Sequence, residues 1–108
     1  METFLGDTVK ISLEVGIDVS AYPILKIKYK KPNGVSGYWT ATLDPTDDSV
    51  IYYICDSSDL DINGNWRIQA YVESLVAKGH GRIVDLKVFE PVDYTIVTTT
   101  MIPTTSVP

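Results

Sequence analysis

Four features of the sequence use residue types that can carry chemistry. Asp59-x-Asp61-x-Asn63-Gly64 places oxygen ligands at alternate positions ahead of a turning glycine, as in the first half of a calcium loop. The twelfth position of such a loop is Ala70, where a bidentate glutamate is needed, and strand-like sequence flanks it. The stretch therefore reads as a turn held by short polar side chains, and no metal is expected. His80, the single histidine, lies between Gly79 and Gly81. A general base needs a nucleophile or an orienting carboxylate beside it. Asp85 and Glu73 are the carboxylates that neighbouring strands could bring, but no serine or cysteine at a strained turn accompanies them, so His80 reads as an exposed loop residue. Cys55 sits in an apolar run and reads as a small buried hydrophobe. Gly79-His80-Gly81 precedes a strand and supplies no helix N-terminus for a phosphate. No catalytic residue and no cofactor is expected, and the chain reads as non-enzymatic.

Binding is the chemistry left to it. Eleven aromatic residues include seven tyrosines. Trp39 and Trp66 fall in the inward phase of their strands and read as core, while Tyr38, Tyr53 and Tyr71 fall in the opposite phase. A tyrosine patch on an outer sheet face suits a protein–protein contact or a carbohydrate platform. Lys26, Lys28 and Lys30 share one face of a strand. They can pair with acidic groups of a neighbour, or form a solvent face that protects an edge strand from aggregation.

These side chains need strands to hold them, and 108 residues make one domain by the prior of roughly 100–200 residues per domain. The chain is 44% hydrophobic and 21% charged, enough for a packed core. Apolar residues alternate with polar ones over 9–15, 25–30, 38–43, 66–73 and 84–88, and Val50 to Cys55 is apolar in both phases. That predicts six strands and no helix, with 50–55 covered on both faces. Lys31-Pro32-Asn33-Gly34 predicts a hairpin, Asp44 to Ser49 a second turn and Lys78-Gly79-His80-Gly81 a third. In the long break from Asp56 to Asn65, Leu60 and Ile62 are placed as a plug at the bottom of the fold. Strands at this spacing predict an all-β, immunoglobulin-like sandwich of six to seven strands over residues 1–90, with an open barrel as the alternative.

Charge is uneven. Fourteen acidic against nine basic residues leave −5, the wrong sign for a nucleic-acid binder. Asp44, Asp47, Asp48, Asp56, Asp59 and Asp61 suggest one negative end, and the lysine strand a positive stripe. No apolar run approaches the roughly 18 residues of a membrane span or resembles a signal peptide, so no membrane partner is expected. A lone cysteine excludes a disulfide within the chain and points to assembly in a reducing cytoplasm.

From Pro91 to Pro108 the character changes: six threonines, three prolines and a single charge, Asp93. Threonine-rich, β-branched sequence favours an extended arm. Tyr94, Ile96, Val97, Met101 and Ile102 are its candidate docking residues, on a sheet edge of another subunit or on the chain's own.

Several segments carry a family resemblance. They are Gly6-Asp7-Thr8-Val9-Lys10-Ile11, Asp18-Val19-Ser20, Ile27 to Gly34, Trp39-Thr40-Ala41-Thr42, Asp59-Leu60-Asp61, Gly64 to Val72, and Gly79-His80-Gly81. Over about residues 5–90 the chain resembles small immunoglobulin-like structural proteins of tailed bacteriophages, including the N-terminal domain of phage baseplate upper proteins. The resemblance implies a virion component without catalysis, assembled in the host cytoplasm and carried in the mature particle. Its partners would be other virion proteins of the capsid, neck, tail or baseplate, or further copies of itself. The competing expectation is a module that recognises a carbohydrate or host surface through exposed tyrosines and loops.

Overall fold

The computed structural model describes residues 2–91 and forms two packed β-sheets, with no helix among the described residues. Eight strands run in chain order: β1 (Glu2–Phe4), β2 (Val9–Glu14), β3 (Ile24–Lys30), β4 (Ser36–Thr40), β5 (Thr42–Asp44), β6 (Asp47–Cys55), β7 (Gly64–Glu73) and β8 (Lys78–Phe89). Five of them form one sheet in the order β1-β8-β7-β3-β4, and three form the other in the order β2-β6-β5. All pairings are antiparallel except β1 with β8. The all-β sandwich expected from the alternation is present, with two more strand elements than the six alternating segments.

One extra element is β1, three residues long. The other arises because the segment 38–43 is two strands: the chain leaves the five-stranded sheet after Thr40 and enters the three-stranded sheet at Thr42. Ala41 makes the crossing, its N–H still bonded to the Leu25 carbonyl at 2.9 Å. Period-two alternation continues through such a crossing, because each strand buries the same phase against the shared core.

The turn chemistry held at one end and failed at the other. Lys31 and Val35 close the β3–β4 hairpin, Lys31 N–H donating to the Val35 carbonyl at 2.8 Å; inside the loop Gly34 N–H donates to the Lys31 carbonyl at 2.9 Å, and Gly34 takes φ +89°. This is a three-residue hairpin loop with glycine where φ must be positive. The third turn, by contrast, is not at Lys78–Gly81. It lies at Ser74–Ala77, where Ser74 N–H donates to the Ala77 carbonyl at 2.8 Å, and Gly79-His80-Gly81 is inside β8. The register shifts between Gln69 and Tyr71, so Gly81 falls within a β-bulge while Gly79 pairs with Val72. A Cβ on Gly81 would stand 3.3 Å from Ala70 Cβ and 3.5 Å from the Glu14 carbonyl oxygen. Glycine serves close approach here, a role that sequence cannot separate from turning.

Between the sheets Ile11, Ile27, Ile51, Ile68, Val72 and Leu86 are fully or almost fully buried. One layer is aromatic. Trp39 lies 4.7 Å from Tyr29, 5.2 Å from Tyr53 in a near-parallel stack, and 6.2 Å from Trp66 between ring centroids. Leu60 is buried in the core and Ile62 is packed against it. Both tryptophans are core, as the alternation predicts. Cys55 is fully buried, and burial pushes its thiol up to about 12, with Asp59 and Asp56 adding to the effect. A thiol held protonated at neutral pH is no nucleophile.

Candidate functional site

The site is built on β3, whose Leu25, Ile27 and Tyr29 face the core and whose Lys26, Lys28 and Lys30 therefore face out. Cross-strand register sets their neighbours. Lys26 lies opposite Thr40 and Tyr71, Lys28 opposite Tyr38 and Gln69, and Lys30 opposite Ser36 and Arg67. Strand β8 extends these rows, with His80 beside Tyr71, Ile83 beside Gln69 and Asp85 beside Arg67.

Lys26 and Lys28 are anchored by aromatic rings rather than by acids. Lys26 Nζ sits 4.1 Å above the Tyr38 ring and Lys28 Nζ 4.2 Å above the Tyr71 ring. Such a contact at an exposed site contributes about 0.5–1 kcal/mol, and it fixes where the charge is presented. Among the described residues the one ion pair is Lys31 with Asp61, at 3.0 Å. Lys26, Lys28, Lys30 and Arg67 thus form a positive face on a chain of formal charge −5. A groove of about 290 Å³ runs over it, lined by Lys28, Lys30, Ser36, Arg67, Gln69 and Ile83. Gln69 Nε2 donates to the Gly81 carbonyl at 2.9 Å, which holds its amide in place at the bulge.

The three tyrosines expected on an outer face have three different fates. Tyr38 is outward and 54% exposed. Tyr71 is outward but only 8% exposed, because β7 is an inner strand and both Lys28 and the His80 ring, 4.9 Å away, lie over it. Its hydroxyl donates to Glu73 at 2.6 Å, and that bond raises its pKa. Tyr53 is a correction: it points inward, stacks on Trp39 and donates its hydroxyl to Asp59 Oδ2 at 2.9 Å. Burial, then Asp59, pushes the phenol up to about 12. The outward tyrosine of β6 is Tyr52, under Lys10 at 4.4 Å. Strand β6 is apolar in both phases, so its sequence does not set its own register; pairing of Ile11 with Tyr53 does. Its outer face is also not covered throughout, since Ile54 is 55% exposed.

His80 meets neither carboxylate considered for it. Its Nε2 lies 3.4 Å from Lys28 Nζ, where an ammonium can only donate. The calcium-like turn has its own internal partners: Asp59 accepts from Tyr53 and from the Asp56 N–H, and Asp61 binds Lys31. Tyr94, Ile96, Val97, Met101 and Ile102 lie outside the described residues. Arg67, Gln69 and Ile83 join the site only through register and carry no signal in a single strand. Leu75 and Val76, fully exposed at the β7–β8 turn, were also missed, although two apolar residues at a hairpin tip are a readable signal.

The acidic stretch does not form one end. Asp44, Asp47 and Asp48 lie where β6 begins, and Asp56, Asp59 and Asp61 follow its far end. Several of these carboxylates lock turns. Asp18, Asp44, Asp47 and Asp56 each accept from both the N–H and the hydroxyl of the Ser or Thr two residues on, at 2.7–3.0 Å. All four pKa values are lowered, chiefly by the N–H at Asp18 and Asp44 and by the hydroxyl at Asp47 and Asp56. A depressed carboxyl pKa adds stability above the unfolded value, near 3.9, that is lost as pH falls through the folded value. The melting temperature is therefore expected to hold from pH 7 to 5 and to fall below pH 4, followed by circular dichroism. Replacing the four aspartates by asparagine keeps a neutral acceptor and should shrink that fall; an unchanged fall would assign it to other carboxylates.

The chain matches no protein-family model and no curated protein sequence.

Proposed function

We propose that the protein is a non-enzymatic, multi-copy structural module of a tailed-phage virion, with an immunoglobulin-like strand arrangement, that binds neighbouring virion proteins through the outer face of its five-stranded sheet. The observation that carries the binding role is the row Lys26, Lys28 and Lys30, the first two laid over tyrosine rings, without acidic partners among the described residues. A cationic face on an acidic protein favours an acidic neighbour and steers its approach. The strand order supports the immunoglobulin-like reading. A first strand parallel to the last, in a sheet with β7, β3 and β4 and opposite β2, β6 and β5, matches the A′GFCC′ and BED sheets of such domains. The virion assignment rests on the resemblance over about residues 5–90. Its quoted segments supply the Lys31–Gly34 hairpin, the Trp39 and Trp66 core layer and the β8 bulge.

The carbohydrate reading loses ground because, of the three tyrosines, only Tyr38 is exposed, and Lys26 lies over its ring. Both readings meet in one experiment: immunogold labelling and immunoblotting of purified particles made by the genome that encodes the chain. Label at a regular position on tailed particles is the expected result. Particles free of the chain, while it accumulates in the lysate, would overturn the virion reading. Glycan-array binding in that case would favour surface recognition.

A further inference from the structure

Among the described residues, the sandwich has a seam with two open strand edges. Strand β2 pairs, among the described residues, on one side only, with β6. Strand β8 pairs along its length with β7, but on its other side β1 covers only Lys87 to Phe89. The two open edges face each other across a groove of about 550 Å³, lined by Ser12, Leu13, Glu14, Val15, Arg82 and Val84. At Gly81 the edges nearly touch, through the close approach to the Glu14 carbonyl.

The main-chain groups turned into this seam follow from two hydrogen bonds. Val15 N–H donates to the Ser49 carbonyl, so Val15, Leu13 and Ile11 use their backbone groups on β6. Alternation then turns those of Lys10, Ser12 and Glu14 outward. On β8, the Phe89 carbonyl accepts from Leu5, so Asp85 and Ile83 turn theirs to the same, uncovered side. Unpaired backbone groups in a row are a template for an added strand.

We propose that residues Tyr94–Ile102 of one copy add as a strand to the β2 edge of a second copy, filling this seam. The inference rests on the multi-copy reading above. Seven of those nine residues are β-branched, and none is charged, glycine or proline. Val15 and Val84, half-buried at the rim, offer an apolar floor to alternate side chains of such a strand. The segment follows Glu90 and Pro91 at the end of β8, where β1 already holds the edge position beside Lys87–Phe89. A tight hairpin back onto its own β8 would meet β1 at Lys87–Phe89, which favours a strand supplied by another copy.

The test is complementation between full-length chains in analytical ultracentrifugation. Wild type should associate with rising concentration. Ile96→Asp with Ile102→Asp disables the incoming strand, and Ser12→Pro removes a main-chain N–H donor from the receiving edge; each variant should be monomeric. An equimolar mixture has one intact arm and one intact seam, and should form a 1:1 dimer. Val84→Lys replaces Ser12→Pro if circular dichroism shows the proline variant unfolded. A wild type that stays monomeric, oligomers that survive both variants, or a mixture without dimer would each overturn the proposal. Particle labelling is scored separately. A monomeric chain found in particles sinks the strand exchange alone, and an oligomer absent from particles sinks the virion reading alone.

Discussion

Trp66→Ala is expected to lower the unfolding free energy by about 3–5 kcal/mol, the usual cost of truncating a buried aromatic. Trp66 is fully buried, and its indole rests at 5.6 Å from Tyr29 and 6.2 Å from Trp39. Alanine leaves a void under the one layer that ties β3, β4 and β7 to Tyr53 of the opposite sheet. It also leaves the Ile62 carbonyl without the Nε1–H donor now 2.8 Å away. A domain of this size holds about 5–15 kcal/mol in total, so the loss takes roughly a fifth of it or more. No disulfide offsets it, since Cys55 is the single cysteine. Urea unfolding followed by circular dichroism reads the effect. Trp66→Phe serves as the control: it keeps a ring and loses the hydrogen bond, and should cost about 1–2 kcal/mol. Equal losses from the two variants would mean that the hydrogen bond, and not the stack, holds the loop from Asp56 to Asn63.

That same layer marks how far the sequence could be read. Trp39 and Trp66 declared themselves because their strands alternate against unmistakably polar partners. Tyr53 did not, because Val50 to Cys55 is apolar in both phases and only pairing with β2 sets its direction. Strand β1 escaped for a related reason. Three residues cannot show a period, and their partner lies at the far end of the chain, at Lys87–Phe89. Gly79 and Gly81 were misread since glycine marks both turns and close approach, and a bulge needs its partner strand to be seen. The same limit governs the site. Lys26, Lys28 and Lys30 were legible as one outward face from β3 alone. The covering of Tyr71 and the recruitment of Arg67, Gln69 and Ile83 are properties of three adjacent strands in register. A phase is local, and a neighbour across a sheet is not.

On the proposed virion role, reversing Lys26, Lys28 and Lys30 to glutamate should cut incorporation into particles at least tenfold while the domain stays folded. Stability changes little on physical grounds. None of the three lysines has a carboxylate partner among the described residues, so no ion pair is broken. Two ring contacts are lost, at about 0.5–1 kcal/mol each. The Lys28→Glu change also brings a carboxylate near the Tyr71–Glu73 hydrogen bond, which adds a small repulsion screened by solvent. Binding responds far more strongly, because like charges brought together across an interface cost several kcal/mol. The corresponding glutamine variant separates charge from shape: it removes attraction without adding repulsion, and should fall between wild type and the reversed variant. Raising the salt concentration should weaken the wild type and leave the glutamine variant nearly unaffected, since the Debye length shrinks from about 8 Å at physiological ionic strength to about 3 Å at 1 M. Immunoblots of purified particles give the incorporation, and thermal melts of the free chain give the control. Normal incorporation of the reversed variant would leave the lysine strand as edge and surface protection. The partner contact would then have to be sought elsewhere, first at Leu75 and Val76 on the exposed β7–β8 turn.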